Sequence, residues 1–354
     1  MRIASIAGCA VMLACVAGRA GPITAQSGPT FVVAVQGAFA RVAPSVAAAV
    51  AFPAVQGHPH EVAGRTSDGA WVKISGGWLP ALLGELSGSL DGLPQVPPSP
   101  AAGGGGRSAW PSWIPSATPL TRRILQDGAA AGRNPRVFTV AGDSNSQWPR
   151  YLGRVAAGGY EPVRSPALRP VATRFDPSFT RLSQSVRGGI GAAELFDPAL
   201  ADPAVCLPDE GLFACELRTS QASIVFIQLG TGDRFAWRAF EANYRRMIDL
   251  ALASHVLPVL VTKADDMESW QGGAPVGYIN TTIRRLAQET GLPLLDFWAA
   301  TRTLPAVPNP DLPDRPFTQF GLQDEWGYYF HLTDEGMALR ILATLQTLDA
   351  LARR

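Results

Sequence analysis

Cysteine and histidine are scarce in this chain, with four of each among 354 residues. Cys9 and Cys15 fall in an N-terminal stretch, leaving Cys206 and Cys215 for the rest. Neither has a Cys or His neighbour at metal-ligand spacing, which argues against zinc. Charge is sparse too. Only 17% of residues are charged and the net charge is +1, so the broad basic field that nucleic acid requires is missing. The apolar run from Ile3 to Ala17 is too short and too rich in Ala and Gly for a comfortable membrane span.

What is present is apolar and turn-rich. Hydrophobic residues make up 47% of the chain, enough for a sizeable core and too many for a disordered chain. Gly (36) and Pro (30) imply many turns and long irregular connections. The length allows two domains plus accessories. Arg2 precedes the Ile3–Ala17 run, and small residues follow, with Ala20 or Ala25 as cleavage points. Residues 1–25 therefore read as an export signal, and the mature protein as secreted or envelope-associated. Met12-Leu13-Ala14-Cys15 also resembles a lipoprotein processing site, which makes lipid on Cys15 the minor alternative. Outside the cell, Cys206 and Cys215 could close a small ring.

After the signal the chain divides into three. Residues 27–92 alternate short apolar runs with turns, an all-β pattern. Residues 93–119 carry Leu93-Pro94-Gln95-Val96-Pro97-Pro98-Ser99-Pro100 and Gly103 to Gly106, a linker that is first extended and then flexible, interrupted by Trp110 and Trp113. Residues 120–354 alternate strands and helices. Ser223–Leu229 and Val256–Thr262 read as buried strands. Helices with inward stripes at Phe240, Tyr244, Met247, Ile248 and Ala251, and at Ile279, Ile283, Leu286 and Ala287, follow them. A last helix after Thr333 carries Met337, Ile341, Leu345 and Leu348 on one face. This alternation predicts a parallel sheet covered on both sides.

The run Val137-Phe138-Thr139-Val140-Ala141-Gly142-Asp143-Ser144-Asn145-Ser146 shows a β-branched strand ending in Gly-Asp-Ser. Ligands of open α/β sheets bind at the carboxyl ends of strands. Ser144 is therefore either a nucleophile with helical N–H groups aimed at its oxygen or simply an N-cap. A nucleophilic hydroxyl needs a base. His58 and His60 lie in the β region, and His255 lies at a helix–strand junction. His331, in Tyr329-Phe330-His331-Leu332-Thr333, stands where it can reach back over the sheet edge. Asp143 and Asp233 read as residues that hold their loops. Lys263, Asp265 and Asp266 either line a substrate mouth or are solvated.

Gly142-Asp143-Ser144, the glycines at Gly188-Gly189, Gly230-Thr231-Gly232-Asp233 and the late His331-Leu332-Thr333, in that order, resemble the SGNH (GDSL-like) hydrolases over about residues 130–354. Ser67-Asp68-Gly69-Ala70-Trp71-Val72-Lys73-Ile74 followed by Gly77-Trp78-Leu79 resembles the end of a bacterial SH3-like domain. The resemblance implies a three-layer α/β/α, flavodoxin-like domain with a parallel sheet, preceded by a small all-β SH3-like barrel. It implies an exported serine esterase or acyl hydrolase without cofactor or metal. Its substrate would be a small-molecule or glycan ester, plausibly an acylated envelope or extracellular carbohydrate, and a cell-wall or protein partner could bind the SH3-like region. Ser144 would be the nucleophile and His331 the base. The oxyanion hole would combine the Ser144 N–H with Gly189 or its neighbour Gly188. Two positions depart from the family pattern. Gly232 stands where the family has an asparagine donor, and Tyr328 stands where it has an aspartate. Asp324 would then orient His331, or a backbone carbonyl would do so. The departures also keep open a binding protein of the cell envelope built on a hydrolase fold.

Overall fold

The computed structural model describes residues 28–97, 110–302 and 331–353, apart from 35–37, 46–47, 49, 159, 161–166, 267, 270–271 and 333. The expected export signal, Cys15, Asp324 and Tyr328 lie outside the described residues.

The first part of the chain is all β. Strands β1 (Thr30–Val33), β2 (Ala38–Arg41), β3 (Val50–Ala54), β4 (Pro59–Glu61), β5 (Gly64–Thr66), β6 (Trp71–Ile74), β7 (Gly77–Pro80), β8 (Gly84–Ser87) and β9 (Gln95–Val96) form two sheets, ordered β4-β1-β8 and β3-β2-β7-β6-β5-β9. The β6–β7 hairpin pairs Ile74 with Gly77 across a two-residue turn. Gly76 there has φ +77°, a conformation that Gly adopts without a Cβ penalty. Trp71 and Trp78 are both buried, as core packing requires. Gln95–Val96, which the Pro-rich composition assigns to the linker, instead pairs parallel with β5.

The second part is mixed α/β. Helix α1 (Pro119–Ala130) starts at a capping box, Thr118 and Thr121 each accepting the other's backbone N–H, with Pro119 in the first turn. Strands β10 (Asn134–Gly142), β11 (Ala222–Gln228), β12 (Leu257–Val261) and β13 (Leu294–Leu295) pair in parallel in that order. On the far side of β10, Gly142 bridges to Val186. Counted by position in the chain, the order is 2-1-3-4-5, so the sheet reverses direction of growth between β10 and β11. The crevice at the carboxyl ends of those two strands is therefore where a site is expected.

Between the strands lie α2 (Leu152–Ala156), α3 (Arg169–Arg174), α4 (Asp176–Phe179), α5 (Leu212–Ser220), α6 (Trp237–Ala253), α7 (Tyr278–Thr290), α8 (Phe297–Thr301) and α9 (Asp334–Ala352). The stripes of α6 and α7 are buried at the positions their periodicity marks. Gly291, at φ +68°, ends α7. Cys206 and Cys215 form a disulfide that ties the preceding loop to α5.

Helix α9 is buried on all sides, not on one face. Leu339, Leu342 and Ala343 are enclosed along with Met337, Ile341, Leu345 and Leu348. It contacts α3 and α8 and also β3 of the first part, so two layers cover it. Trp110 of the connection docks beside it. Trp110 Nε1 donates to Asp349 Oδ2 at 2.9 Å, and the Trp113 carbonyl accepts from Asp296 N at 3.0 Å.

Candidate active site

Residues Val137 to Gly142 of β10 are buried, so the strand delivers its final residues to the sheet edge from inside the core. Gly142 must lack a side chain, because a Cβ there would overlap Ser146 Oγ. Asp143 follows in extended conformation, and its Oδ1 accepts the Asn145 N–H at 2.9 Å, which closes a short helical turn over Ser144–Ser146. Ser144 is half-buried at the top of this turn. Its Oγ makes no hydrogen bond to another described residue.

Two segments converge on the turn. The first is 183–190. Gly142 N donates to the Ser185 carbonyl at 2.9 Å, and Arg187 N donates to the Gly142 carbonyl at 3.1 Å. This pairing carries Gly188 up to the serine, where a Cβ on Gly188 would lie 3.9 Å from Ser144 Cβ. Gly189 follows with φ +74°. Among the described residues, the N–H groups of Ser144, Gly188 and Gly189 donate to no protein acceptor. The second segment holds His331. Leu332 N donates to Asn145 Oδ1 at 2.9 Å, and the Leu332 carbonyl accepts from Arg150 at 2.8 Å. The residue after Ser144 is thus bonded to the residue after His331. Asn145 is occupied in tethering the His331 segment.

Gly232 opens a short helical turn after β11. No side chain fits there on this backbone, since a Cβ would overlap the Ile190 carbonyl oxygen and come within 2.8 Å of that of Gly189. The absence of asparagine at 232 is thus built into the way this loop packs against 189–190. Asp233, beside it, accepts the Ala192 N–H at 2.8 Å and holds the same two loops together. Burial pushes its carboxyl up to about 7, helped by Glu194 and Asp143, against the pull of the Ala192 N–H.

Beneath the turn lies a buried ionic cluster. Arg340 of α9 donates through Nη2 to Gln228 Oε1 at 2.6 Å and to Ser146 Oγ at 3.1 Å. Gln228 Nε2 in turn donates to the Tyr151 hydroxyl at 3.2 Å. Burial raises the Asp143 pKa, while Arg340, the Asn145 N–H, the Thr231 hydroxyl and Lys263 act in the opposite direction. Lys263 and Asp265 are buried, not solvated, and are paired with each other, with Glu268 Oε1 3.5 Å from Lys263 Nζ. Asn280 Nδ2 donates to the Asp265 carbonyl at 2.7 Å. A small pit lined by Asp143, Thr231, Lys263, Asp265 and Arg340 marks the meeting of these groups. Arg340 and Glu268 carried no sequence signal, because each is isolated within a segment that otherwise explains itself.

A comparison with protein-family models finds no match, and one with curated proteins finds none. Solved structures give partial likenesses. An acetylxylan esterase from Geobacillus stearothermophilus, in a catalytic-mutant form, shares 14% identity over 60% of this chain and 93% of its own, with a TM-score of 0.38. A GDSL-like lipase from Bacteroides thetaiotaomicron shares 14% over 64% and 96%, with a TM-score of 0.35. A member of the lipolytic G-D-S-L family from Veillonella parvula shares 12% over 59% and 94%, with a TM-score of 0.34. At these TM-scores the likenesses carry no argument about what this chain does.

Proposed function

We propose that the chain is a serine-dependent ester hydrolase. The observation that supports this most directly is Ser144 at the carboxyl end of the strand beside the sheet's reversal point, next to the Gly188–Gly189 loop, with the N–H groups of all three residues donating to no described protein acceptor. Free N–H donors in the loops beside a nucleophilic hydroxyl are what a tetrahedral oxyanion needs.

The reaction follows from these roles. Ser144 Oγ attacks the ester carbonyl carbon as its proton passes to His331. The carbonyl π pair becomes the oxyanion. Collapse expels the alcohol, which takes the proton from His331, and leaves an acyl group on Ser144. Water, deprotonated by His331, then attacks the acyl carbon and regenerates Ser144. Asp324 is assigned to orient the imidazole. Loss of such an orienting acid costs up to about 10⁴ in turnover.

The substrate class we propose is an acyl or acetyl ester on extracellular or envelope carbohydrate, met after export. The β region, proposed as SH3-like, would hold a cell-wall or protein partner. Hydrolysis of short aryl esters by the purified chain and by Ser144→Ala tests the reaction. Turnover that disappears in the variant is the expected result. A folded protein with no turnover on any of them would leave a binding role on the same scaffold.

A further inference from the structure

Acyl transfer at Ser144 needs donors aimed at the oxyanion, and a side-chain amide adds to what backbone N–H groups supply. Position 232 has no room for one. The Asn145 amide is held in place through its oxygen, which accepts from Leu332 N, and Asn145 is buried within the turn. The remaining amide beside the nucleophile is Gln147. It is exposed, and its side chain makes no hydrogen bond to any described residue.

Gln147 and Ser144 also lie against the same glycine. The point where a Cβ on Gly188 would stand is 3.5 Å from Gln147 Nε2 and 3.9 Å from Ser144 Cβ. Because residue 188 is glycine, no side chain stands there between the Gln147 amide and Ser144. The N–H groups of Gly188 and Gly189, which donate to no described protein acceptor, belong to the same loop. We propose that Gln147 is a catalytic residue, its Nε2 donating to the oxyanion formed when Ser144 attacks. The Gln147 side chain is exposed and makes no hydrogen bond to a described residue, so its rotation can bring Nε2 to the roughly 2.7–3.1 Å of a working donor. This assignment rests on the proposal that Ser144 is the nucleophile. It explains how the site works with glycine at 232: the amide enters from the nucleophile's own loop.

The test is steady-state hydrolysis of an aryl acetate by the full chain, Gln147→Ala, Gln147→Glu and Ser144→Ala, with circular dichroism to establish folding. Gln147→Ala is expected to lose about 100- to 1000-fold in kcat with KM within about threefold, because the donor acts on the transition state. Gln147→Glu keeps the length and removes the donor, so it should lose at least as much. If the parent chain turns over the ester through Ser144 and folded Gln147→Ala retains its kcat, or changes only in KM, the assignment is overturned while the serine mechanism stands. If the parent chain shows no Ser144-dependent turnover, the nucleophile proposal fails first and takes this one with it.

Discussion

The two halves of the molecule bury different things. Among the described residues of the β half, the buried polar side chains are Ser45 and Thr66, and the core is Phe31, Phe52, Ile74, Leu79 and their neighbours. The α/β half buries Asp143, Glu216, Asp233, Lys263, Asp265, Glu268 and Arg340. Burying a charge is costly unless it is paired and hydrogen-bonded, and an apolar replacement is often as stable. Stability therefore does not account for so many ionisable groups on one side. Apart from Glu216, which pairs with Arg181, they surround the loops that present Ser144 and Gly230–Asp233. The charges fix the geometry of those loops, and the apolar half has no such geometry to fix.

Removing Arg340 should break this contrast most severely. Arg340→Met leaves Gln228, Ser146 and Asp143 without their buried cation, at a cost of about 4 kcal/mol. Urea unfolding would show it, and turnover should fall with it because the Ser144 turn loses its anchor. Phe52→Ala should cost about 3 kcal/mol through the cavity it leaves. That loss should be the same at pH 6 and pH 8, since the side chain removed is not ionisable.

The subtlest test uses opposite responses to pH. Asp233 titrates at about 7 in the fold and near 3.8 when unfolded, so the folded chain holds the extra proton between those values. Its contribution is complete below pH 3.8 and is lost as pH rises through 7. Asp233→Asn keeps an acceptor for Ala192 N and should flatten that decline in urea-unfolding free energy. His60 of β4 runs the other way. Burial and the neighbouring His58 lower it to about 4 from 6.5, so its contribution is complete above 6.5 and is lost as pH falls through 4. His60→Gln should remove only that acid-side loss. Equal pH profiles for parent and both variants would contradict the division.

Much of this was legible in the sequence. A β-branched run into Gly-Asp-Ser predicts a strand delivering a hydroxyl to a sheet edge, and the stripes of α6 and α7 point inward as their periods require. The Cys206–Cys215 pair follows from there being no other candidates outside the first residues. What was hidden depends on distant partners. Arg340 looks like a polar interruption in an apolar helix until Gln228, 112 residues earlier, is seen beneath it. In sequence Lys263 and Asp265 fit either a substrate mouth or a solvated surface, because local composition says nothing of the layer that covers them. The closed sides of α9 depend on β3 lying against it. Gln147 has meaning only because a glycine from another loop leaves space beside it.

The most direct measurement is chemical labelling of the nucleophile. The purified chain would be treated with a fluorophosphonate, digested and mapped by mass spectrometry. One phosphonyl adduct is expected, on Ser144, lost when the protein is first unfolded in urea and absent from Ser144→Ala. No adduct on the folded chain, or an adduct on a different serine, would contradict it.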